Sequence, residues 1–303
     1  MRLSHFTTRL AAAIIASFAI VCSFASPSAQ PVPESPVELV RRTVQVEVAA
    51  SNGTTKVMFM DRKEMPHGSQ TKLMVETRDG MAGLLVANND KPLAPMQQQA
   101  EEARLLGLAG NPEALKKKQK TEKEDAERIT RIIKALPDAF LYETDGTVVG
   151  DSEIGKAGDE LIRLKFRPNP QYSPPSHVEQ VLTGMEGFLL IDADQHRIAK
   201  IDGTLNREVG FGWGILGHLD SGGNFLVEQA EVIPGDWEVT KMSLSFTGKE
   251  LLFKSLHVKS DEVFSNFRQV SSSLNFAQGV DLLKKQGAVL AENRQGGGTD
   301  NPK

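Results

Sequence analysis

Apolar and polar residues alternate along the middle of the chain, and this alternation predicts an antiparallel sheet. In the segment 161–167, Ile162, Leu164 and Phe166 alternate with basic residues. A period of two gives a strand one dry face and one wet face. Further strands are predicted at 188–192, 197–201, 225–233, 237–246 and 251–258. The stretch from Asp159 to Val270 is therefore predicted to form one meander.

The links between these segments are short and rich in turn residues, as at 192–195, 234–236 and 247–249. Links of this length favour hairpins between sequential strands, because a parallel crossover needs about a dozen or more residues. The predicted sheet is therefore antiparallel.

The N-terminal third carries a similar pattern. Val44, Val46 and Val48 alternate with polar residues, which predicts a strand at 44–50 that pairs with 55–61. A second hairpin is predicted from 71–77 and 81–87. Before them, Ser35 as N-cap predicts a brief helix at 36–43. 

Residues 95–136 interrupt the strands with good helix formers, in two segments at 95–106 and 112–136. The middle, 116–128, is almost entirely charged, and its mixed signs favour a solvated helix face. An apolar stripe is predicted at Leu115, Ile129, Ile132, Ile133 and Leu136. Later helices are expected at 176–182 and 277–285.

These elements predict a mainly β (α+β) fold, with a curved antiparallel sheet or incomplete β-barrel of about ten strands and a helical insertion or lid. The expected organisation is a mobile lead-in at 30–36 and a single β domain at 37–285 that contains the insertion 95–136. A polar, glycine-rich tail at 286–303 is expected to be disordered.

Residues 1–29 have the pattern of a cleaved secretory signal, with Arg2 and Arg9 before an apolar run at 10–21. That run is shorter than the roughly 20 residues that a membrane-spanning helix needs. A lipoprotein signal with Cys22 as the lipidated residue is an alternative, disfavoured because Val21 is not small. A periplasmic location follows, with no transmembrane helix in the mature chain.

Composition excludes some function classes. The net charge of −4 provides no basic surface for nucleic acid. The histidines show no metal-ligand spacing, so neither a metal nor a cofactor is predicted. The segment 192–196 resembles the start of a calcium loop, but Arg197 and Gly203 stand where Gly and Glu are required.

Catalytic signals are equally sparse. The chain contains no Gly-x-Ser-x-Gly elbow. Catalysis of glycoside hydrolysis by a pair of carboxylates is an alternative, because many acidic residues lie on predicted strands. No catalytic residue is assigned, and we expect a binding protein that is not an enzyme.

Several predicted strands are apolar on both faces, notably 188–191, 225–227 and 251–253. Helix cover over a two-layer core explains any single strand. Across several strands, a concave face that receives an apolar ligand is a competing explanation. The candidate cavity-wall residues are Ile162, Leu164, Phe166, Phe188, Leu190, Ile198, Phe225, Val227, Trp237 and Phe253.

Four short segments resemble the periplasmic Lol-type lipoprotein carriers, LolA/LolB-like. They are 166–170 (FRPNP), 186–192 (EGFLLID), 197–200 (RIAK) and 234–237 (PGDW). They are more similar to larger proteins labelled outer-membrane lipoprotein-sorting-like. The resemblance spans about 37–270 and implies an incomplete barrel whose helices lid a hydrophobic cavity for acyl chains. The charged insertion departs from the small carriers.

Three functions are therefore compared. The first is a non-enzymatic carrier or sensor that holds lipid or lipoprotein acyl chains, with an envelope protein considered as a further partner. The second is an envelope hydrolase with carboxylate catalysis, which requires converging acids in a polar cleft. The third is a structural or protein-interaction module, in which the chain's own side chains fill the sheet's concave side.

Overall fold

A computed structural model describes residues 34–51, 53–211, 217–250 and 254–296. The predicted secretory signal at 1–29, the end of the predicted tail at 297–303 and the candidate residue Phe253 lie outside these described residues.

The described residues form thirteen strands and five α-helices. The strands are β1 (Lys56–Met65), β2 (Gly68–Thr77), β3 (Gly80–Asn88), β4 (Lys91–Pro92), β5 (Phe140–Val149), β6 (Glu160–Pro168), β7 (Met185–Asp192), β8 (Ile198–Leu205), β9 (Val209–Phe211), β10 (Gly217–Leu219), β11 (Asn224–Ile233), β12 (Asp236–Glu250) and β13 (Lys254–Val270). The helices are α1 (Pro36–Ala50), α2 (Pro95–Ala109), α3 (Pro112–Ala139), α4 (His177–Gln180) and α5 (Phe276–Gly296), with a 3₁₀ turn at Val181–Gly184.

The strands make one open antiparallel sheet in the order β4-β3-β2-β1-β13-β12-β11-β8-β7-β6-β5. The short strands β9 and β10 pair with each other, and β10 also pairs with β12. The predicted fold class, mainly antiparallel β with helices, is confirmed, with thirteen strands where about ten were expected.

The pairing of β1 with β13 joins the two ends of the chain. Lys56 lies opposite Val270 and Glu64 lies opposite Asp261. This contact attaches the N-terminal strands β1–β4 to the meander of β6, β7, β8, β11, β12 and β13. No local pattern in the sequence signals it, because the partners are about 200 residues apart.

Helices cover the two ends of the sheet with separate apolar clusters. In the first, α1 and the end of α3 pack over β5–β8, with Val40, Leu136 and Leu189 nearly inaccessible to solvent. In the second, α2 and α5 pack against β1–β3 around Leu105 and Phe276. These two clusters fix where a cavity can form.

The predicted strand at 44–50 is wrong, because α1 runs from Pro36 to Ala50. Ser35 caps it as predicted, by accepting a hydrogen bond from the Glu38 N–H. Leu39, Val40, Thr43 and Val44 are the buried positions, which is a helical spacing. Val44 and Val48 pack in the first apolar cluster and Val46 is half-buried, so the valines are part of a helix and β1 has no partner strand there.

The helical insertion is confirmed and is longer than predicted. Pro137 lies inside the last turn of α3, which ends at Ala139 rather than at residue 136. The charged part packs on the β2–β3 turn: Gln119 donates to the Asp79 carbonyl at 2.8 Å, and Glu122 accepts from the Met81 N–H. The insertion therefore bridges the two ends of the sheet.

The boundary of the predicted disordered tail at residue 286 is also wrong, since α5 continues to Gly296. Gly287 lies in this helix, and a Cβ there would meet Leu84 Cδ2 at 2.8 Å. Close packing against β3 thus holds the helix where its composition is polar. None of the described helices is long and apolar enough to cross a membrane.

Candidate functional site

A cavity of about 280 Å³ lies between the sheet and the end of α3. Strands β5–β8, β11 and β12 form one side, and α3, the 3₁₀ turn and β10 form the other. Its lining is Ile132, Ile133, Leu136, Phe140, Tyr142, Phe166, Val181, Leu182, Met185, Leu189, Ile201, Leu219, Phe225, Leu244 and Phe246. Every lining side chain is hydrophobic or aromatic. The volume lies near the lower end of the roughly 300–1,000 Å³ typical of ligand pockets.

The cavity has a buried floor and a partly exposed rim. Phe140, Phe166, Met185, Leu189 and Ile201 on β5–β8 are all less than a tenth exposed and form the floor. The rim consists of half-buried side chains from other elements: Ile132, Ile133, Val181, Leu219, Phe225, Leu244 and Phe246. An apolar chain entering from the rim would meet only carbon and sulfur on the floor.

The Tyr142 hydroxyl is the one polar side-chain group in the lining. It donates to the Leu136 carbonyl at 2.8 Å, which links β5 to the last turn of α3. Burial raises the pKa of the Tyr142 phenol above its usual range, so the hydroxyl stays protonated. Because this group is already bonded, the lining residues that the structure describes offer no free hydrogen-bonding side chain to a polar ligand.

Two phenylalanines of the rim lie directly on glycines, one on strand β8 and one in the turn just before β11. A Cβ built on Gly203 would lie 2.4 Å from the Phe225 ring, and one on Gly223 would lie 2.4 Å from the Phe246 ring. Gly203 and Phe225 are cross-strand partners in β8 and β11. A side chain at either position would therefore displace the ring that packs against it.

The predicted apolar stripe of α3 is divided between three environments. Ile132, Ile133 and Leu136 line the cavity, whereas Leu115 packs against the second cluster beside α5. Ile129, one turn before Ile132, is 64% exposed. The apolar face of the helix therefore continues beyond the rim into solvent.

Five of the predicted wall residues lie in the first cluster. Phe166 and Phe225 line the cavity directly. Leu164 and Ile198 are buried in the same cluster, and Ile162 packs against it. The structure therefore brings these five predicted residues onto the cavity side of the sheet.

Three predicted wall residues, Phe188, Leu190 and Trp237, lie elsewhere. Leu190 and Trp237 form a separate cluster with Leu161 and Ala199, against which Phe188 packs. Leu189 and Leu190 are neighbours on one strand and so point to opposite faces. Placing both faces in a single wall was wrong.

The second face is partly polar. The Arg163 guanidinium lies 4.3 Å from the centre of the Phe188 ring, and Arg197 lies 5.4 Å from that of Trp237. Val227, also predicted as wall, is half-buried opposite Ile201 but is not part of the cavity lining.

Sequence reasoning missed ten lining residues: Phe140, Tyr142, Val181, Leu182, Met185, Leu189, Ile201, Leu219, Leu244 and Phe246. The signal that could have found Leu189 is its register. It lies opposite Leu164 on β6 and Ile201 on β8, and cross-strand partners share a face. The continuous apolar run of β7 hid this choice of face.

A second candidate site is an acidic cleft at the end of α1, formed by Glu47, Glu76, Asp236 and Glu238. Its volume is about 300 Å³. Burial, together with the Glu76 and Asp236 carboxylates, raises the pKa of Glu238 to about 7. Burial also raises the pKa values of Glu76 and Asp236.

The segment that resembles a calcium loop is a hairpin turn. Asp192 is fully buried, and its Oδ1 accepts from the backbone N–H groups of Asp194 and Gln195 at 3.0 and 2.7 Å. These bonds stabilise the turn between β7 and β8. The segment is therefore the hairpin turn that its residues predict.

Neither a family model nor a curated protein matches the chain. Among solved structures, the chain is similar to the crystal structure of a DUF1329 family protein from Desulfovibrio piger. The identity is 11%, the match covers 80% of this chain and 97% of that chain, and the TM-score is 0.29.

Proposed function

We propose that this protein binds the apolar chain of a lipid or lipoprotein in the cavity beneath α3, and that it does so without chemical turnover. The observation that carries the proposal is the wholly apolar lining of a 280 Å³ space that the protein's own side chains leave open. Apolar cavities of this size stay dry and accept hydrocarbon.

The expected gain is large enough for binding. Each buried methylene contributes about 0.8 kcal/mol, so a chain of six would contribute about 5 kcal/mol before ordering costs. The exposed Ile129 extends the apolar path outward from the rim. A polar headgroup would remain in water, since no free hydrogen-bonding side chain lies on the floor.

The cellular role proposed here is that of an envelope carrier or sensor of the LolA/LolB-like kind. It is supported by the sequence marks of that family, by the secretory signal pattern at residues 1–29, and by helices packed over an open antiparallel sheet. A periplasmic location and an envelope protein partner belong to the same proposal.

The test is to fill the cavity from its rim. Leu244→Trp places an indole in the space, so the affinity for a fluorescent fatty-acid probe should fall at least tenfold. Val149→Trp is the matched control, because Val149 is 73% exposed on β5 and outside the lining. Circular dichroism of both variants establishes that they are folded. Equal probe binding by wild type and Leu244→Trp would refute the proposal.

The acidic cleft favours a second candidate function, an envelope hydrolase with carboxylate catalysis. Glu238, with a pKa of about 7, has the property of a general acid at neutral pH. Hydrolysis of a glycoside panel that Glu238→Gln abolishes would support this function. An inactive wild-type protein would remove it.

A further inference from the structure

Strands β9 and β10 bring together three metal-ligating side chains, Glu208, His218 and Asp220. One ligand atom from each lies within 4.8 Å of the other two. The closest pair is His218 Nε2 and the Asp220 carboxylate Oδ1, at 3.3 Å. These residues lie outside both the apolar cavity and the acidic cleft.

The antiparallel register explains this grouping. His218 pairs with Gly210, and Leu219 pairs with Val209. Continuing that register by one residue places Glu208 opposite Asp220. His218 and Asp220 are two residues apart and so share a face, while Leu219 between them points the other way and lines the cavity.

We propose that Glu208, His218 and Asp220 bind a divalent cation of the Zn²⁺ class, with the fourth position open to water. Zn²⁺ takes imidazole nitrogen and carboxylate oxygen at about 2.0–2.2 Å, and tetrahedral geometry then places ligand atoms about 3.4 Å apart. The His218–Asp220 distance already has this value. Glu208 is exposed, and its carboxylate oxygen lies within 4.8 Å of the other two ligand atoms.

The donor set also selects among cations. One imidazole with two carboxylates suits Zn²⁺ and its neighbours in the transition series. Ca²⁺ requires six to eight oxygen ligands, which these three residues do not supply. We therefore expect a higher affinity for Zn²⁺ than for Ca²⁺ or Mg²⁺.

A positively charged side chain is the cross-strand neighbour of the proposed ligands. Lys249 on β12 lies directly opposite His218, and cross-strand partners share a face. Its ammonium repels a second positive ion there. Lys249→Gln should therefore strengthen Zn²⁺ binding, and this gain should be lost when His218→Ala is added, because it depends on the ligands.

The experiment is isothermal titration of ZnCl₂ into the untagged protein, because a histidine tag would itself bind zinc. We expect one ion per chain, at least tenfold weaker binding by His218→Ala, and a similar loss in Glu208→Gln/Asp220→Asn. The matched control is His257→Ala, since His257 is an exposed histidine on the neighbouring β13 and should leave binding unchanged.

The absence of saturable Zn²⁺ binding to the wild type would overturn this site. So would equal affinities for His218→Ala and His257→Ala. Circular dichroism without metal establishes that the variants fold, so a loss of binding reports on the ligands. The fatty-acid probe is titrated separately, so the metal site and the lipid cavity can fail independently.

Discussion

Gly203 shows how one missing side chain keeps the cavity open. The Phe225 ring packs on it, with Cε1 2.4 Å from where a Cβ would stand. A methyl group there must push the ring or separate β8 from β11. The sequence alone does not show why glycine stands here, because the ring that needs the space is 22 residues away.

Gly203→Ala should therefore lower the affinity for a fatty-acid probe and cost about 1–3 kcal/mol of unfolding free energy, as overpacked cores do. Gly107→Ala is the matched control. No atom lies within 4 Å of its added Cβ in α2, so stability should rise by about 0.5–1 kcal/mol. Urea unfolding and probe titration check both variants. An unchanged affinity in Gly203→Ala would contradict the role given to Phe225.

Glu238 links stability to pH. Its pKa is about 7 in the folded chain and about 4.5 when unfolded. The unfolded chain therefore loses this proton first as pH rises. The contribution of Glu238 to the free energy of unfolding is largest below about pH 4.5, and it is lost as pH rises to about 7.

We expect Glu238→Gln to flatten the decline in unfolding free energy between about pH 4.5 and 7. The decline in unfolding free energy that this substitution removes is at most about 3.5 kcal/mol, at about 1.4 kcal/mol per pKa unit. Glu143→Gln, at an exposed position of β5, should leave the decline unchanged. Urea titrations across pH measure both, and parallel curves for wild type and Glu238→Gln would count against the raised pKa.

At the scale of elements, a nearly buried ion pair anchors the end of α1, in addition to its apolar contacts with the first cluster. Glu47 accepts from Arg197 Nε and Nη2 at 3.0 and 3.1 Å, and from the Ile198 N–H at 2.7 Å. Both side chains are 12% exposed. The helix end is thus bound to the start of β8, across 150 residues of sequence.

Glu47→Ala should cost about 3–5 kcal/mol, because Arg197 is left buried without its partner. Glu38→Ala, in the same helix, breaks only the exposed pair with Arg41 and should cost at most about 1 kcal/mol. Thermal and urea unfolding compare the two variants. Equal costs would mean that the Glu47 pair does not anchor α1.

Strands with one solvent-exposed face were predicted correctly. Segments whose structure depends on packing against distant parts of the chain were not. β6 alternates apolar and basic residues, and it was predicted nearly to its ends. The valines of 44–50 alternate too, but Ser35 and the helical spacing of Leu39, Val40, Thr43 and Val44 make one helix. On β7, apolar residues on both faces left the choice of face undetermined, which misplaced Phe188 and Leu190.

At the scale of the whole chain, the cavity and the α5 region are separate apolar clusters. Antiparallel strands and the insertion were predictable from local patterns. The join of β1 to β13 was not, since contacts between distant segments leave no local signal. Nor was the metal-ligating triad, because Glu208 and His218 meet only through the pairing of β9 with β10.

Separate clusters predict separable effects. Phe276→Ala, in the second cluster, should lower stability by about 3–5 kcal/mol and leave probe affinity unchanged. Leu189→Ala on the cavity floor should cost about 2–5 kcal/mol and also change probe affinity. Binding is measured at a temperature where both variants are folded. A large affinity change in Phe276→Ala would show that the clusters are coupled.

The most direct test of the lipid-binding claim is mass spectrometry of the protein purified without detergent, in its native state and after organic extraction. The account predicts lipid or acyl-chain species bound to the wild type and strongly depleted from Leu244→Trp. A wild-type protein that carries no such species and also fails to bind an added fatty acid would contradict it.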